Sequence, residues 1–222
     1  MGIRLVRSVA LFIVLTLALV ACHSPTSEGG FSGTILKSGD IAPNFALINQ
    51  AGRTVSLDSF KGQVVVLTFL YTNCPDVCPI VTSRLREVEQ LLRSEGKTAQ
   101  FLAVSVDPDR DTIESARDYL DKWTLSDDWQ FLVGERPVLE GVWKDYYVAP
   151  AVSQHDPLET GPTPEPKGAI DSLGAEIAQR YLVVHSTPVF LIDRRGNRRV
   201  VFTPPLEPEE VAQDVRKLLD SS

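Results

Sequence analysis

The chain has 222 residues with 22 basic and 29 acidic side chains, a formal net charge of −7, and 43% hydrophobic residues. That length suits one domain with a sizeable core behind an export segment. The acidity argues against nucleic acid as a partner and against a basic membrane-surface face. Three cysteines, three histidines and a single methionine, Met1, leave few carriers for sulfur or imidazole chemistry.

Arg4 and Arg7 precede an apolar run from Val9 to Val20 that is interrupted only by Thr16. The run is shorter than the ~20 residues of a membrane span, and it reads as the apolar region of an export signal over residues 1–21. Leu19-Val20-Ala21-Cys22 resembles a bacterial lipobox, in which cleavage leaves a diacylated Cys22 as the new N-terminus. An ordinary signal and a short uncleaved anchor are the alternatives, and each puts the domain outside the cytoplasm. The lipobox reading places it on the outer face of the cytoplasmic membrane. Residues 1–21 carry two basic side chains and no acidic ones, so 20 basic against 29 acidic remain, a net −9. Attachment would then come from lipid and not from charge. Residues 22–38, rich in Gly, Ser and Thr, read as a tether, with the folded domain over 39–220.

Within that domain, Phe45 to Leu47 and Thr54 to Leu57 flank the turn-like Asn49-Gln50-Ala51-Gly52, which predicts a hairpin. Val64 to Tyr71 is apolar on both faces and predicts a central strand covered by helices on each side. Val81, Leu85, Val88 and Leu92 recur at helical spacing, between a start at Pro79 and a stop at Gly96. A strand over Phe101 to Val106, a helix over Thr112 to Trp123, a strand over Gln130 to Val133 and a helix over Pro137 to Tyr146 follow. This alternation implies an α/β fold with a largely parallel sheet. From 149 to 178 the pattern breaks into a long Pro-rich loop that carries His155, with a short helix near Asp171 to Ala178. Tyr181 to Val184, Val189 to Ile192 and Arg198 to Phe202 restore strand character, the last one antiparallel. A final helix starts at Pro208, with Glu209 and Glu210 in its first turn.

Most of the chemistry is concentrated in Thr72-Asn73-Cys74-Pro75-Asp76-Val77-Cys78-Pro79, between the central strand and the next helix. Two thiols four residues apart on such a loop suit thiol–disulfide exchange or a soft metal such as Cu(I). An inert structural disulfide is the third reading, but closing so short a loop constrains little of the unfolded chain. Cys78, directly before Pro79, would place its sulfur at the positive end of a helix and favour thiolate there. Tyr71 and Asn73 flank the pair and are placed to line the site. His23 lies in the tether and His155 in the loop, whereas His185 follows a strand and precedes Ser186-Thr187-Pro188.

Three motifs stand in order: Thr72-x-Cys74-Pro75-x-x-Cys78-Pro79, Val106-Asp107-Pro108-Asp109-Arg110-Asp111-Thr112, and Val184-His185-Ser186 ahead of Leu191-Ile192-Asp193. Together they resemble the Sco/SenC family of copper chaperones over roughly Gly39 to Leu219. The resemblance implies a thioredoxin-like α/β fold with a peroxiredoxin-type N-terminal extension and a central mixed sheet flanked by helices. It implies copper, Cu(I) or Cu(II), held by Cys74, Cys78 and His185. It implies delivery to the dinuclear copper centre in the copper-accepting subunit of cytochrome c oxidase.

The alternative is a thiol–disulfide oxidoreductase that uses Cys74 and Cys78 to keep the cysteines of such a partner reduced, served by a thioredoxin-like reductant. Thr187-Pro188 resembles the cis-proline turn of such redox proteins. Against this reading, the pair is one residue longer than Cys-x-x-Cys. A peroxiredoxin-like peroxidase fits least, because Tyr71 and Pro75 stand where its threonine belongs. Asp107, Asp109 and Asp111 read as turn formers, with Asp107 the candidate for a supporting role behind the ligands. A monomer is expected.

Overall fold

The computed structural model of the protein describes residues 30–37, 39–153 and 182–221. The expected signal segment, Cys22 and His23 lie outside these residues, as do His155, most of the Pro-rich loop and the short helix expected within it. Ser32–Ser222 makes up one unit. Among the described residues no helix is long and apolar enough to cross a membrane.

In chain order the strands and helices are β1 (Thr34–Ile35), β2 (Ala46–Asn49), β3 (Thr54–Ser56), β4 (Val65–Leu70), α1 (Val77–Ser94), β5 (Gln100–Ser105), α2 (Ile113–Lys122), β6 (Trp129–Val133), α3 (Arg136–Asp145), β7 (Ala151–Ser153), β8 (Leu182–Val184), β9 (Val189–Ile192), β10 (Arg198–Phe202) and α4 (Pro208–Asp220). Eight strands form one mixed sheet in the order β1-β10-β9-β4-β5-β6-β2-β3.

Every residue of β4 and β5 is buried, as the two-sided apolar runs require. Parallel pairing is confined to β4–β5 and β5–β6, and the other pairings are antiparallel. The sheet is therefore mixed, and parallel only at its centre, where helices α1 and α2 supply the long crossovers that parallel neighbours need. On the flanks tight turns suffice. Asn49 Oδ1 accepts from the amides of Ala51 and Arg53, each at 3.0 Å, and Gly52 takes φ +73°. Between β9 and β10, Asp193 Oδ1 does the same for Arg195 at 3.0 Å and Asn197 at 2.9 Å.

Helix α1 buries Val81, Leu85, Val88 and Leu92 on one face and packs against α4. Each such aliphatic side chain contributes ~1.5–3 kcal/mol when fully buried. The helix stops as expected: Gly96 takes φ +69°, its amide donates to Arg93 O, and the Lys97 amide reaches Leu92 O, both at 3.0 Å. That double closure satisfies the last carbonyls. Its start differs from expectation, at Val77 and not Pro79. Pro79 then occupies the third helical position, where a missing N–H costs nothing because the first four amides have no partner inside the helix. Helix α2 is closed by reciprocal bonds between Thr112 and Ser115, at 3.1 and 2.8 Å.

Two features depart from the linear reading. The stretch expected as tether joins the fold before residue 38. Asp214, fully buried on α4, accepts from the amides of Ser32 at 2.8 Å and Gly33 at 3.0 Å, and β1 then pairs with β10. A buried carboxylate needs such donors, and the edge of β10 offers them a strand to lie on. Second, the segment expected as loop from 149 begins with β7, which pairs antiparallel with β8 in a separate ribbon. The ribbon pairs Ser153 with Leu182.

Candidate metal centre

The loop that carries the thiols leaves the C-terminal end of β4 and turns immediately, the Cys74 amide donating to Tyr71 O at 3.3 Å. Cys74 and Cys78 are both free thiols, the first partly exposed and the second fully buried. The Cys78 amide, in the first turn of α1, donates to Cys74 Sγ at 3.4 Å. The positive end of the helix therefore serves Cys74, contrary to the expectation for Cys78.

The acidities follow. The Cys78 thiol, donating to Cys74 Sγ, is the largest influence that brings the Cys74 thiol down to about 6. Burial opposes this, while the amides of Asp76 and Cys78 and the Tyr71 hydroxyl assist. The Cys78 thiol is pushed up, first by that same bond and then by burial. The pair is thus a thiolate beside a thiol at neutral pH.

His185 lies in the link between β8 and β9. Its Nδ1 is 2.7 Å from the carbonyl oxygen of Ser186. A carbonyl only accepts, so Nδ1 carries the proton and Nε2 holds a lone pair. Burial holds the imidazole below its usual pKa, with the bond to Ser186 opposing, and so favours the neutral ring. Nε2 is buried and has no hydrogen-bond partner among the described residues. An orphaned buried acceptor costs on the order of 1–3 kcal/mol. A neutral imidazole with Nδ1 fixed by a hydrogen bond and Nε2 unoccupied is suited to ligate a metal.

The ring of His185 meets Tyr71 edge-on, with centroids 5.9 Å apart. Tyr71 in turn acts on Cys74 through its hydroxyl. Among the described residues, no three His, Cys, Asp or Glu side chains gather closely enough to hold one metal ion. The two thiols are together, and His185 reaches them through Tyr71 and not as part of a closed cage.

Asp111 is the support that the linear reading assigned elsewhere. Its Oδ1 accepts from the Thr72 amide at 2.9 Å and the Thr72 hydroxyl at 2.6 Å, while Oδ2 accepts from Ser105 Oγ at 2.6 Å. It ties the end of β5 to the thiol loop. Burial pushes its carboxyl up to about 6 against those hydrogen bonds. Asp107 instead pairs with Arg110 and closes its own turn through its carbonyl, and Asp109 pairs with Arg136 at the surface. Beneath the pair, Thr82 Oγ1 and the Tyr119 hydroxyl lie 2.6 Å apart in the core. Nothing in the local pattern distinguishes Thr82 or Tyr119 from ordinary helix positions. Trp129 and Trp143 are core anchors, their indole N–H groups donating to Glu89 at 3.1 Å and Ser105 O at 2.9 Å. The cis X-Pro bond among the described residues is Pro204–Pro205, so Thr187–Pro188 is trans.

The chain is similar to proteins of one family. The chain is 35% identical over 91 residues to the SCO1 protein homolog of Bacillus subtilis, a match spanning 40% of this chain and 47% of that protein. It is 27% identical to Bradyrhizobium japonicum ScoI, solved with copper bound, over 80% of this chain and 99% of that one, with a TM-score of 0.62. Apo Sco1 from Thermus thermophilus is also 27% identical, over 85% of this chain and 96% of that one, with a TM-score of 0.62. The SCO1/SenC family profile matches residues 34–220, from the edge strand docked by Asp214 to the end of α4. With its thioredoxin-like fold and its cysteine and histidine motifs in order, this chain belongs to the SCO1/SenC family.

Proposed function

We propose that this protein is an extracytoplasmic copper chaperone. It holds one copper ion through Cys74, Cys78 and His185 and passes it to the copper-accepting subunit of a cytochrome c oxidase. The observation that carries the reading is His185 Nε2, buried and without a hydrogen-bond partner among the described residues, on a ring that meets Tyr71, whose carbonyl accepts from the Cys74 amide. Two thiolates suit Cu(I), and an imidazole extends the set to Cu(II). Loading draws the imidazole and the sulfurs together around the ion. At neutral pH Cys74 is already a thiolate and His185 is neutral, so the proton released is that of Cys78. A three-ligand site leaves an approach for the acceptor's own ligand, and the ion transfers by exchange. Diacylated Cys22 holds the domain on the outer face of the cytoplasmic membrane, beside a membrane-bound acceptor.

Copper titration of the reduced soluble chain from Ser24 onward tests the reading, with His185→Ala, Cys74→Ser and Cys78→Ser alongside. One tightly held ion per chain is expected, at least about tenfold weaker in His185→Ala and lost in either serine variant. Equal copper affinity in wild type and His185→Ala would remove His185 from the ligand set. The asymmetry of the thiols favours one second reading, with Cys74 as attacking thiolate and Cys78 as resolving thiol of a disulfide reductase. Weak copper binding together with fast reduction of an acceptor disulfide would select it.

A further inference from the structure

The thiol loop lies past one end of the sheet, because β4 runs from Val65 to Leu70 and hands the chain on to Tyr71. Strand register places the N-terminal edge against that end. Thr34 pairs with Val201, Val201 with Phe190 and Phe190 with Leu67, so Thr34 is level with Leu67, three strands away. Three strand spacings are about 14 Å. Each of these pairings is antiparallel, so β1 runs against β4. Going back from Thr34 to Gly33 and Ser32 therefore moves toward the level of Tyr71. The folded unit begins at Ser32, and the chain enters it at the thiol end.

A separate set of contacts holds the following residues at the other end. Ile41 bridges Asn197, and the Ala42 amide donates to Gly196 O at 2.9 Å in the β9–β10 turn. Asp40 pairs with Arg198 through two bonds of 3.0 and 2.9 Å. A chain held only there would leave the domain from that far end. It is β1 that carries the exit back along β10. Thr34 and Ile35 are both exposed, so burial of side chains does little to hold so short a strand. The holds are Asp214, which accepts from the amides of Ser32 and Gly33, and the close seat of Gly33. A Cβ there would come 2.5 Å from Val200 Cγ1 and 2.8 Å from the Phe202 ring.

We infer that β1 is an orienting strap: docked on β10 and held by Asp214, it makes the anchored domain present its thiol end to the lipid surface. This rests on the anchor reading above, and it holds alike for lipid on Cys22 and for an uncleaved apolar anchor. Ser32 is ten residues after Cys22, and ten residues span at most ~36 Å in any arrangement. Ile41 is nineteen residues after Cys22, a limit of ~70 Å. With β1 undocked, the longer leash would attach at the β9–β10 turn and leave the thiols on the side away from the lipid. Net acidity gives the domain no attraction of its own to an anionic surface, so the point of exit sets the orientation. The partner this arrangement fits is an acceptor that takes the ion close to the lipid surface.

The test uses the full anchored chain, reduced and metal-free, in phosphatidylcholine nanodiscs that carry a fraction of gadolinium-chelate lipid. Amide line broadening read by NMR falls steeply with distance from the gadolinium. Asn73 and Asp76, in the thiol loop, are expected to broaden several-fold more than Arg195 and Gly62, whose amide donates to Arg194 O at the far end. Asp214→Ala combined with Gly33→Ala removes the acceptor and fills the seat. The Leu36 amide, which donates to Arg199 O at 3.0 Å, should then exchange fast, and the broadening pattern should reverse.

Equal broadening at the two ends of the wild type, or more at Gly62 and Arg195, overturns the orientation. A double variant that keeps Leu36 protected overturns Asp214 and Gly33 as the holds. One that frees Leu36 yet still broadens most at Asn73 and Asp76 overturns the strap as the cause. The wild-type pattern decides the orientation even where the double variant folds poorly. A full chain that never associates with lipid overturns the anchor reading instead, and is distinguished from protein bound the other way round.

Discussion

Asp111→Asn isolates a buried carboxyl whose charge state changes within the accessible pH range. Asp111 is 6% exposed and accepts three hydrogen bonds, two from Thr72 and one from Ser105. Burial raises its pKa from 3.8 to about 6. Because the folded value lies above the unfolded one, the unfolded chain loses this proton first as pH rises. The contribution is fully present below about pH 4 and is lost as pH climbs through about 6, by on the order of 3 kcal/mol. Asparagine keeps an oxygen for Thr72, offers Nδ2 to Ser105 and never ionises. Urea unfolding with the thiols kept reduced, at steps from about pH 4 to 7, should therefore show Asp111→Asn gaining on wild type by about 2–3 kcal/mol across that range. Asp111→Ala leaves three donors without an acceptor and should cost about 2–4 kcal/mol at pH 7. A difference between wild type and Asp111→Asn that stays flat from pH 4 to 7 would refute the assignment of a raised carboxyl at this position.

Iodoacetamide should modify Cys74 well before Cys78, since Cys74 is partly exposed with a pKa of about 6 and Cys78 is buried with its pKa raised. The rate should rise with pH through a midpoint near 6, and a midpoint near 9 or first modification at Cys78 would contradict the asymmetry. At the other end of the domain, Asp214→Ala removes the acceptor for the Ser32 and Gly33 amides and for Lys217 Nζ. Limited proteolysis should then cut between Gly33 and Lys37 much faster, at a stability cost of about 1–3 kcal/mol. Gly33→Ala should release the same segment without touching Asp214, because its Cβ would lie 2.5 Å from Val200 Cγ1. Protection unchanged in both variants would show that β1 is not held this way.

Local periodicity and turn chemistry carried much of the fold. The two-sided apolar run of β4 can only be a covered central strand. The 3.6-residue recurrence on α1 can only bury one face, and Gly96 can end the helix because glycine adopts φ +69° without the backbone strain most side chains meet there. The thiol pair and His185 stood out as candidates for a different reason, since sulfur and imidazole side chains are scarce in this chain. The antiparallel β4–β9 and β2–β6 pairings, the docking of β1 and the β7–β8 ribbon were not legible. Each depends on residues far apart in sequence offering complementary hydrogen-bonding edges.

The same division holds at the site. Side-chain chemistry alone marked the sulfurs of Cys74 and Cys78 and the imidazole of His185 as candidate donors. Folding decided which sulfur is acidic, since that depends on which one faces the amides at the start of α1 and which one is enclosed. It also made Asp111, and not Asp107, the brace of the thiol loop, and gave Tyr71 a place against both Cys74 and His185. Burial, hydrogen-bond direction and ring contact exist only once distant strand ends have been brought to one edge of the sheet.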